Sequence, residues 1–348
     1  MFLHDGEEVR YNSHEAFVER LEEVQAATTW KDVSIQALDI GKNFIDLTEA
    51  DADTNRNGTQ MFLDLPNGKI GIRECALRSL YTNLGLGGDL MKKFDNDDME
   101  EYIGFGIGKN RKYRPAMTFQ IPVVEGKVNA FLSESYSNDL PANEIFQKVL
   151  KHFQEKLEQE TFKFNGYWTY AECSGDYFLP IKKEIDGHEY SVVLVVRTSD
   201  AGYSSINFSA YLTDERHKEM PIMSGVNAVH KRSAASSERL DEMLDMVENA
   251  VDKGVKRLNK LLHILINNPK NTMKRVCKEV GLPKRESLEL IESFDDLGQV
   301  TAFDCYMCLA QILEKDLTYS VRERYQGNIY KLLGIRWENY DLPGEYAW

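Results

Sequence analysis

The alternation of apolar and polar positions predicts both helices and strands up to about residue 220. Residues 14–27 and 143–159 repeat apolar side chains every three or four positions, which is the period of an amphipathic helix. The pair Asn67-Gly68 separates two short apolar runs and supplies the positive φ of a hairpin turn. Helical patterns also cover residues 74–84 and 91–102, and strand-like runs cover residues 61–65, 70–72, 117–124, 127–132, 162–173, 190–197 and 204–212.

From about residue 220 the pattern becomes that of helices alone. One long helical pattern covers residues 236–266 and stops before Pro269, because proline cannot continue a helix. Shorter helical patterns follow at residues 272–280, 284–294, 302–313 and 320–333. The sequence therefore predicts an α+β protein in which residues 1–220 form an α+β domain, with a mixed sheet and packed helices, and residues 221–348 form an all-helical domain.

Composition indicates a globular chain with an acidic surface. The 348 residues are 42% hydrophobic and carry 56 acidic against 42 basic side chains, a formal net charge of -14. An overall basic coat for nucleic acid is excluded, and five cysteines are too few for a disulfide-stapled secreted scaffold. The sequence lacks a signal-peptide pattern and any apolar run long enough to cross a bilayer. We therefore expect a cytoplasmic protein, inside a host cell, with no membrane partner.

Positive charge is concentrated in two stretches of this acidic chain. The first, residues 109–114, follows the glycines at 104, 106 and 108, and we expect it to form a flexible loop between a helix and a strand. Four cations and an aromatic ring suit a single-stranded nucleic acid, because cations hold phosphates and rings stack on bases. The second stretch runs over residues 248–286 and contains ten bases, and its candidate residues lie on the long helical pattern near residue 256. The candidate nucleic-acid-binding residues are Lys109, Arg111, Lys112, Tyr113, Arg114, Lys253, Lys256, Arg257 and Lys260.

The alternative interpretation of both stretches is ordinary solvated surface. A charged run on a helix is usually a face turned to water, and a basic loop between two elements needs no ligand. The sequence leaves these two interpretations open.

Three motifs resemble known binding sites but lack parts of them. Residues 104–109 do not make a phosphate loop, because Asn110 replaces the hydroxyl residue and a strand follows. Residues 53–64 have the spacing of a calcium loop but end in Asp rather than Glu, which favours an Asx-rich turn. Cys305 and Cys308 have no further soft ligands nearby, which favours buried core thiols over a zinc site. We expect no catalytic residue, no metal site and no cofactor.

Short segments in both halves of the chain point to a family. Residues 130–136 read Ala-Phe-Leu-Ser-Glu-Ser-Tyr and precede a helix, residues 230–232 (His-Lys-Arg) precede the long helix, and residues 298–304 read Gly-Gln-Val-Thr-Ala-Phe-Asp. In order and spacing these segments resemble the phage/plasmid-like protein family over about residues 40–330, although Glu134-Ser135 stand where that family usually has Asp-Arg. The family has no established catalytic residues. The resemblance implies a phage or mobile-element protein that acts in replication, recombination or host defence.

Together these observations predict a non-enzymatic phage protein that binds single-stranded DNA, similar to strand-annealing recombination proteins. The α+β part would present a groove, the first basic stretch would hold phosphates, and Tyr113 or Phe105 would stack on bases. Such proteins commonly form rings or filaments, so a homo-oligomer is expected. The alternative is a protein-binding inhibitor of a host defence complex, since an acidic surface can mimic DNA or capture a basic host protein.

Overall fold

The computed structural model describes residues 8–42, 61–87, 94, 96–136, 140–214, 218–228, 236–294 and 298–348. Within this part, nine α-helices and fifteen strands confirm the mixed α+β class. The first elements are β1 (Val9–Tyr11), α1 (His14–Ala27), β2 (Thr29–Ser34), β3 (Asp39–Lys42), β4 (Met61–Leu65), β5 (Gly68–Gly71), α2 (Glu74–Leu84), α3 (Asn96–Tyr113), β6 (Thr118–Val124), β7 (Lys127–Val128), β8 (Leu132–Ser133) and α4 (Ala142–Leu157).

The second half of the chain begins with long strands and ends with helices. Its elements are β9 (Lys163–Trp168), β10 (Cys173–Ile185), β11 (His188–Thr198), β12 (Ile206–Thr213), β13 (Glu219–Ala228), α5 (Ser236–Leu261), β14 (Leu265–Ile266), α6 (Pro269–Val280), α7 (Lys284–Ser293), β15 (Val300–Thr301), α8 (Ala302–Ala310) and α9 (Tyr319–Lys331). Short 3-10 helices follow α8 at Gln311–Glu314 and α9 at Trp337–Asn339.

Antiparallel strands form four sheets in the described part of the chain. The largest has six strands in the order β1-β9-β10-β11-β12-β13. Strands β2, β6, β7 and β8 form a second sheet, β3, β4 and β5 a third, and β14 and β15 a two-stranded ribbon. Because side chains alternate along a strand, the large sheet has an apolar inner face, with Phe164, Tyr177 and Leu194, and an opposite outer face, with Asn165, Asp176 and Val195.

The two largest hydrophobic cores in the described part of the chain stabilise these layers. The main core lies between the inner face of the six-stranded sheet and helices α1, α4 and α5, and it continues into the C-terminal helices. The N-terminal core packs α2 and α3 against the sheets formed by β2 to β8. Fully buried members of the main core include Phe17, Phe146, Leu194 and Tyr306, and those of the N-terminal core include Leu63, Leu80, Ile103 and Phe119.

Strand β13 connects the strand-rich and helix-rich parts of the molecule. Helix α5 crosses it so closely that a Cβ atom at Gly254 would lie 2.0 Å from the carbonyl oxygen of Ile222. Helix α8 is attached to the same strand, since the Tyr306 hydroxyl donates a hydrogen bond to the Pro221 carbonyl at 3.1 Å. The predicted boundary at residue 220 falls inside β13, and residues 221–348 also contain the β14–β15 ribbon. The division into domains 1–220 and 221–348 stays a prediction.

Candidate nucleic-acid interface and a polar cleft

The first basic stretch is helical and not the predicted flexible loop. Residues 109–113 form the last turns of α3, and Arg114 follows them directly. The helix passes well beyond residue 102 because Ile103 and Ile107 are buried in the N-terminal core. Cations in the last turn also interact favourably with the negative end of the helix dipole.

Two of the predicted phosphate ligands form hydrogen bonds within the fold. The guanidinium of Arg111 donates from Nε to the Ile35 carbonyl at 3.1 Å and from Nη2 to the Leu38 carbonyl at 2.7 Å. The Arg114 guanidinium donates to the Asn83 carbonyl at 3.3 Å. These contacts attach the end of α3 to neighbouring segments of the N-terminal core, so Arg111 in particular has a structural role.

The other candidate side chains of this helix end, Lys109, Lys112 and Tyr113, are exposed. Phe105 is 65% exposed and Tyr113 is 68% exposed, and the Lys112 ammonium lies 5.0 Å from the centroid of the Tyr113 ring. Phe105, Lys109 and Lys112 are spaced by four and three residues, which places them on one side of the helix. We name Phe105, Lys109, Lys112 and Tyr113 the α3 face.

The four candidate residues of the second basic stretch lie on α5, which packs in the main core rather than with α3. Their side chains are exposed, and the Arg257 guanidinium donates a hydrogen bond to the Tyr330 hydroxyl at 3.3 Å. The two basic stretches are therefore carried by helices of different cores. The candidate residues on α5 are Lys253, Lys256, Arg257 and Lys260.

A polar cleft that the sequence did not predict lies on the outer face of the six-stranded sheet. Strands β1, β9, β10 and β12 supply its floor and one wall, and α9 with the segment before it supplies the other wall. Its volume is about 460 Å³. The lining combines carboxylates, cations, amides and aromatic rings, among them Glu8, Arg10, Lys163, Asn165, Asp176, Phe178, Tyr211 and Glu219.

Asp176 lies at the floor of this cleft, surrounded by protein but open towards the cavity. Its Oδ2 atom accepts a hydrogen bond from the Tyr211 hydroxyl at 3.2 Å. Burial raises the pKa of Asp176 to about 7, the nearby Glu219 carboxylate adds to the rise, and Tyr211 and Arg322 oppose it. Within the described part of the chain, no hydrogen bond engages the other carboxyl oxygen.

Helix α9 is held against the sheet by polar contacts. Arg322 pairs with the buried Glu219 of β13, and Gln326 donates a second hydrogen bond to the same carboxylate at 3.0 Å. The Tyr319 hydroxyl donates to Ser174 of β10. Because these partners lie on both β10 and β13, they fix the position of the helix across the sheet.

A second ion-pair network supports the same wall. Arg197 of β11 pairs with Glu323 of α9 and with the buried Glu172. The Tyr167 ring of β9 stacks on Tyr319 with 4.2 Å between the ring centroids. Among the described residues, these contacts engage Glu172, Glu219 and Glu323, whereas one oxygen of Asp176 accepts no hydrogen bond.

The cleft was missed because its parts come from distant positions. The alternation Ser174, Asp176, Phe178 along β10 is a signal for a partly polar outer face, and it is visible in the sequence. No pattern in the sequence shows that Tyr211, two strands away, and Arg322, on the last helix, lie beside it.

The structure describes in full two of the three motifs that only partly resemble known binding sites. Residues 104–109 lie inside α3, which is incompatible with a phosphate loop. Cys305 and Cys308 are buried and form no disulfide, as expected for core thiols, and burial raises the pKa of Cys308 to about 11. The calcium-like segment lies outside the described residues for its first eight positions, 53–60.

The described residues contain no group of three or more His, Cys, Asp or Glu side chains placed to hold a metal ion. Among the helices of these same segments, none combines the length and the apolar character needed to cross a membrane.

Comparison of the chain with protein-family models, with curated proteins and with solved structures returned no match. The resemblance to the phage/plasmid-like family therefore stays a prediction. One of its segments, residues 230–232, lies outside the described residues.

Proposed function

We propose that the protein binds single-stranded DNA through the α3 face, without catalysing a reaction on it. The observation that carries this proposal is the exposure of Phe105 and Tyr113, 65% and 68%, beside Lys109 and Lys112. Large aromatic rings turned this far into water lose the stabilisation of burial, so a ligand that covers them is favoured. The lysines make a nucleic acid a better candidate than an uncharged partner.

Each part of the α3 face has a use in strand binding. A base that stacks on an aromatic side chain contributes about 1–3 kcal/mol, and any base can do so because each has a π face. Lysine ammonium groups neutralise phosphates and release their counterions. The rings need unstacked bases, which favours a single strand over a duplex.

The rigidity of the helix end also supports the proposal. Arg111 attaches the last turns of α3 to the carbonyls of Ile35 and Leu38, so the exposed rings project from a fixed platform. A platform fixed before binding loses less conformational entropy on binding than a loop does. The strand-annealing role and the homo-oligomer belong to the same proposal, since several α3 faces in a row would hold a longer strand.

The experiment is fluorescence anisotropy of a labelled single-stranded oligonucleotide, titrated with the full chain at low and high salt, with duplex as the comparison. We expect salt-sensitive binding that prefers the single strand. The double variant Phe105→Ala/Tyr113→Ala should weaken binding at least about tenfold, because two stacking contacts are lost. The matched control is Trp30→Ala, which removes a ring that is 44% exposed on β2.

Two results would overturn this proposal. One is the absence of binding at low salt, and the other is equal loss of binding in the Phe105/Tyr113 variant and in the Trp30 control. The alternative of an acidic inhibitor that captures a basic host protein rests on the net charge of -14. It would then be tested by co-purification from host lysate.

A further inference from the structure

The cleft on the outer face of the six-stranded sheet has the dimensions of a small-molecule site. Its volume of about 460 Å³ falls in the range of about 300–1,000 Å³ that is typical of ligand pockets. Its walls are fixed on both sides, by the strands and by α9, whose Arg322 and Glu323 are paired with the sheet. The cavity therefore exists before any ligand binds.

The floor of the cleft offers hydrogen-bond acceptors that lack donors. One oxygen of Asp176 has no hydrogen bond within the described part of the chain, while the other accepts from Tyr211. The Oε1 atom of Glu8, a further lining residue, is buried, and among the described residues it has no hydrogen-bond partner. Buried acceptors such as the Glu8 atom are normally satisfied, and the free Asp176 oxygen opens into the cavity, so a ligand that brings N–H groups suits this floor.

Aromatic rings line the walls of the cleft, and basic side chains lie at its rim. Aromatic rings of Tyr167, Phe178 and Tyr319 line the cavity, which suits a planar ligand. Arg10 and Lys163 are exposed at its edge, and the Lys163 ammonium lies 4.5 Å from the centroid of the Phe178 ring. Neither cation pairs with a carboxylate among the described residues. The cleft thus has acceptors at its floor, rings along its walls and exposed cations at its rim.

A nucleotide matches both parts of the cleft, because its base has N–H donors for the floor and its phosphate has negative charge for the rim. Guanine fits a carboxylate best, because its N1–H and its 2-amino group are adjacent donors that face the two oxygens of one carboxylate. We propose that the cleft is a binding site for a guanine nucleotide, whose base edge donates to Asp176 and whose phosphate contacts Arg10 and Lys163. The nucleotide is either free or the end of a strand.

This proposal does not depend on the α3 face. The α3 face uses rings that accept any base, whereas the cleft has one carboxylate that selects a base edge. The Phe105→Ala/Tyr113→Ala variant should therefore lose strand binding and retain nucleotide binding. Failure of one proposal leaves the other testable.

The experiment is isothermal titration calorimetry of the full chain with guanosine monophosphate, and with the adenosine and cytidine monophosphates for comparison. We expect one saturable site for the guanine nucleotide and at least about tenfold weaker binding of the other two, a factor expected when a bidentate pair is lost. Asp176→Asn should weaken guanine binding by at least about tenfold, because its amide N–H then faces a donor of the base. The control Glu292→Gln neutralises an exposed carboxylate on α7 and should change nothing.

A second variant tests the rim without altering the floor. Arg10→Ala/Lys163→Ala should weaken the monophosphate about tenfold and leave guanosine, which has no phosphate, unchanged. A competing oligonucleotide that ends in guanine distinguishes a free nucleotide from a strand end as the ligand. It displaces guanosine monophosphate if strand ends enter the cleft. Absence of saturable binding overturns the proposal, and so does binding that is equal for the three bases or unaffected by Asp176→Asn.

Discussion

The hydroxyl of Tyr211 donates a hydrogen bond to Asp176 across 3.2 Å, from a strand that is not a neighbour of the strand carrying the carboxylate. The two residues reach each other over β11, which lies between β10 and β12 and contributes Val195 to the lining. A carboxylate in such a place, beside an apolar side chain and with a single donor, is poorly solvated. Its protonation should therefore affect the stability of the whole protein.

We expect Asp176→Asn to stabilise the protein above neutral pH. Because the pKa of Asp176 is raised from 3.8 to about 7, its favourable contribution is complete below about pH 4 and is lost as pH rises through about 7. The groups that face this carboxyl are Tyr211, Glu219, Tyr319 and Arg322. Urea unfolding should show the variant more stable by about 2–4 kcal/mol at about pH 8, and equally stable at about pH 4.

Glu292→Gln, on the exposed surface of α7, is the control for this experiment and should give no such pH-dependent difference. A constant difference between Asp176→Asn and the wild type across this pH range would contradict the raised pKa.

Arg111 and Lys112 are adjacent in the last turn of α3 but should respond differently to truncation. Arg111→Ala removes the hydrogen bonds to the Ile35 and Leu38 carbonyls, which should lower the free energy of unfolding by about 1–3 kcal/mol. Lys112→Ala leaves these contacts intact and should stay within about 0.5 kcal/mol of the wild type. Thermal or urea unfolding of both variants checks this. Equal stability of the two variants would show that the guanidinium does not stabilise the helix end.

The salt dependence of single-stranded DNA binding should decrease when the lysines of the α3 face are replaced. If Lys109 and Lys112 each neutralise one phosphate, their joint replacement by alanine should reduce the slope of log K against log salt by about 1.4. The matched control is Lys151→Ala on α4, an exposed lysine that pairs with Glu155. An equal decrease of this slope in the control would mean that binding depends on the net charge of the protein and not on the α3 face.

Gly254→Ala should destabilise the protein although it replaces one small residue by another. The new Cβ would meet the Ile222 carbonyl oxygen, so α5 must move away from β13 at a cost of about 1–3 kcal/mol. Gly104→Ala on α3 is the control, because no atom beyond its chain neighbours and the adjoining helix backbone lies within 4 Å of a Cβ built there. Alanine also favours a helix by about 0.5–1 kcal/mol. The midpoints of thermal unfolding should shift in opposite directions. A stable Gly254→Ala protein would mean that α5 is not fixed at this crossing.

The elements that the sequence predicted best are those whose local signals agree with their packing. Helix α2 has the predicted bounds because its apolar period ends at Gly85, a residue with φ of 71° that closes the helix. The predicted hairpin forms, but its two turn residues are Pro66 and Asn67, because Leu65 pairs with Gly68 at the start of β5. The φ of Gly68 is 126°. In these segments, tertiary contacts do not oppose the local preference.

Helix α3 shows the opposite case. Three glycines within residues 104–108 indicate the end of a helix, since glycine disfavours the helical state. The buried amide of Asn110 nevertheless donates to the Gly106 carbonyl on its own helix and to the Leu84 carbonyl, each at 2.9 Å, which stabilises the last turns. The hydrogen bond to Leu84 depends on the position of α2, which the local sequence of α3 does not specify.

The α3 face and the cleft can also form at different stages of protein synthesis. The N-terminal core consists of residues that leave the ribosome early, so the rings of the α3 face can reach their final positions while the later helices are still being made. The cleft takes Arg10 from the first strand and Arg322 from the last helix, and it cannot close until α9 has been translated and has docked. A nascent chain would therefore display the α3 face before it gains the cleft.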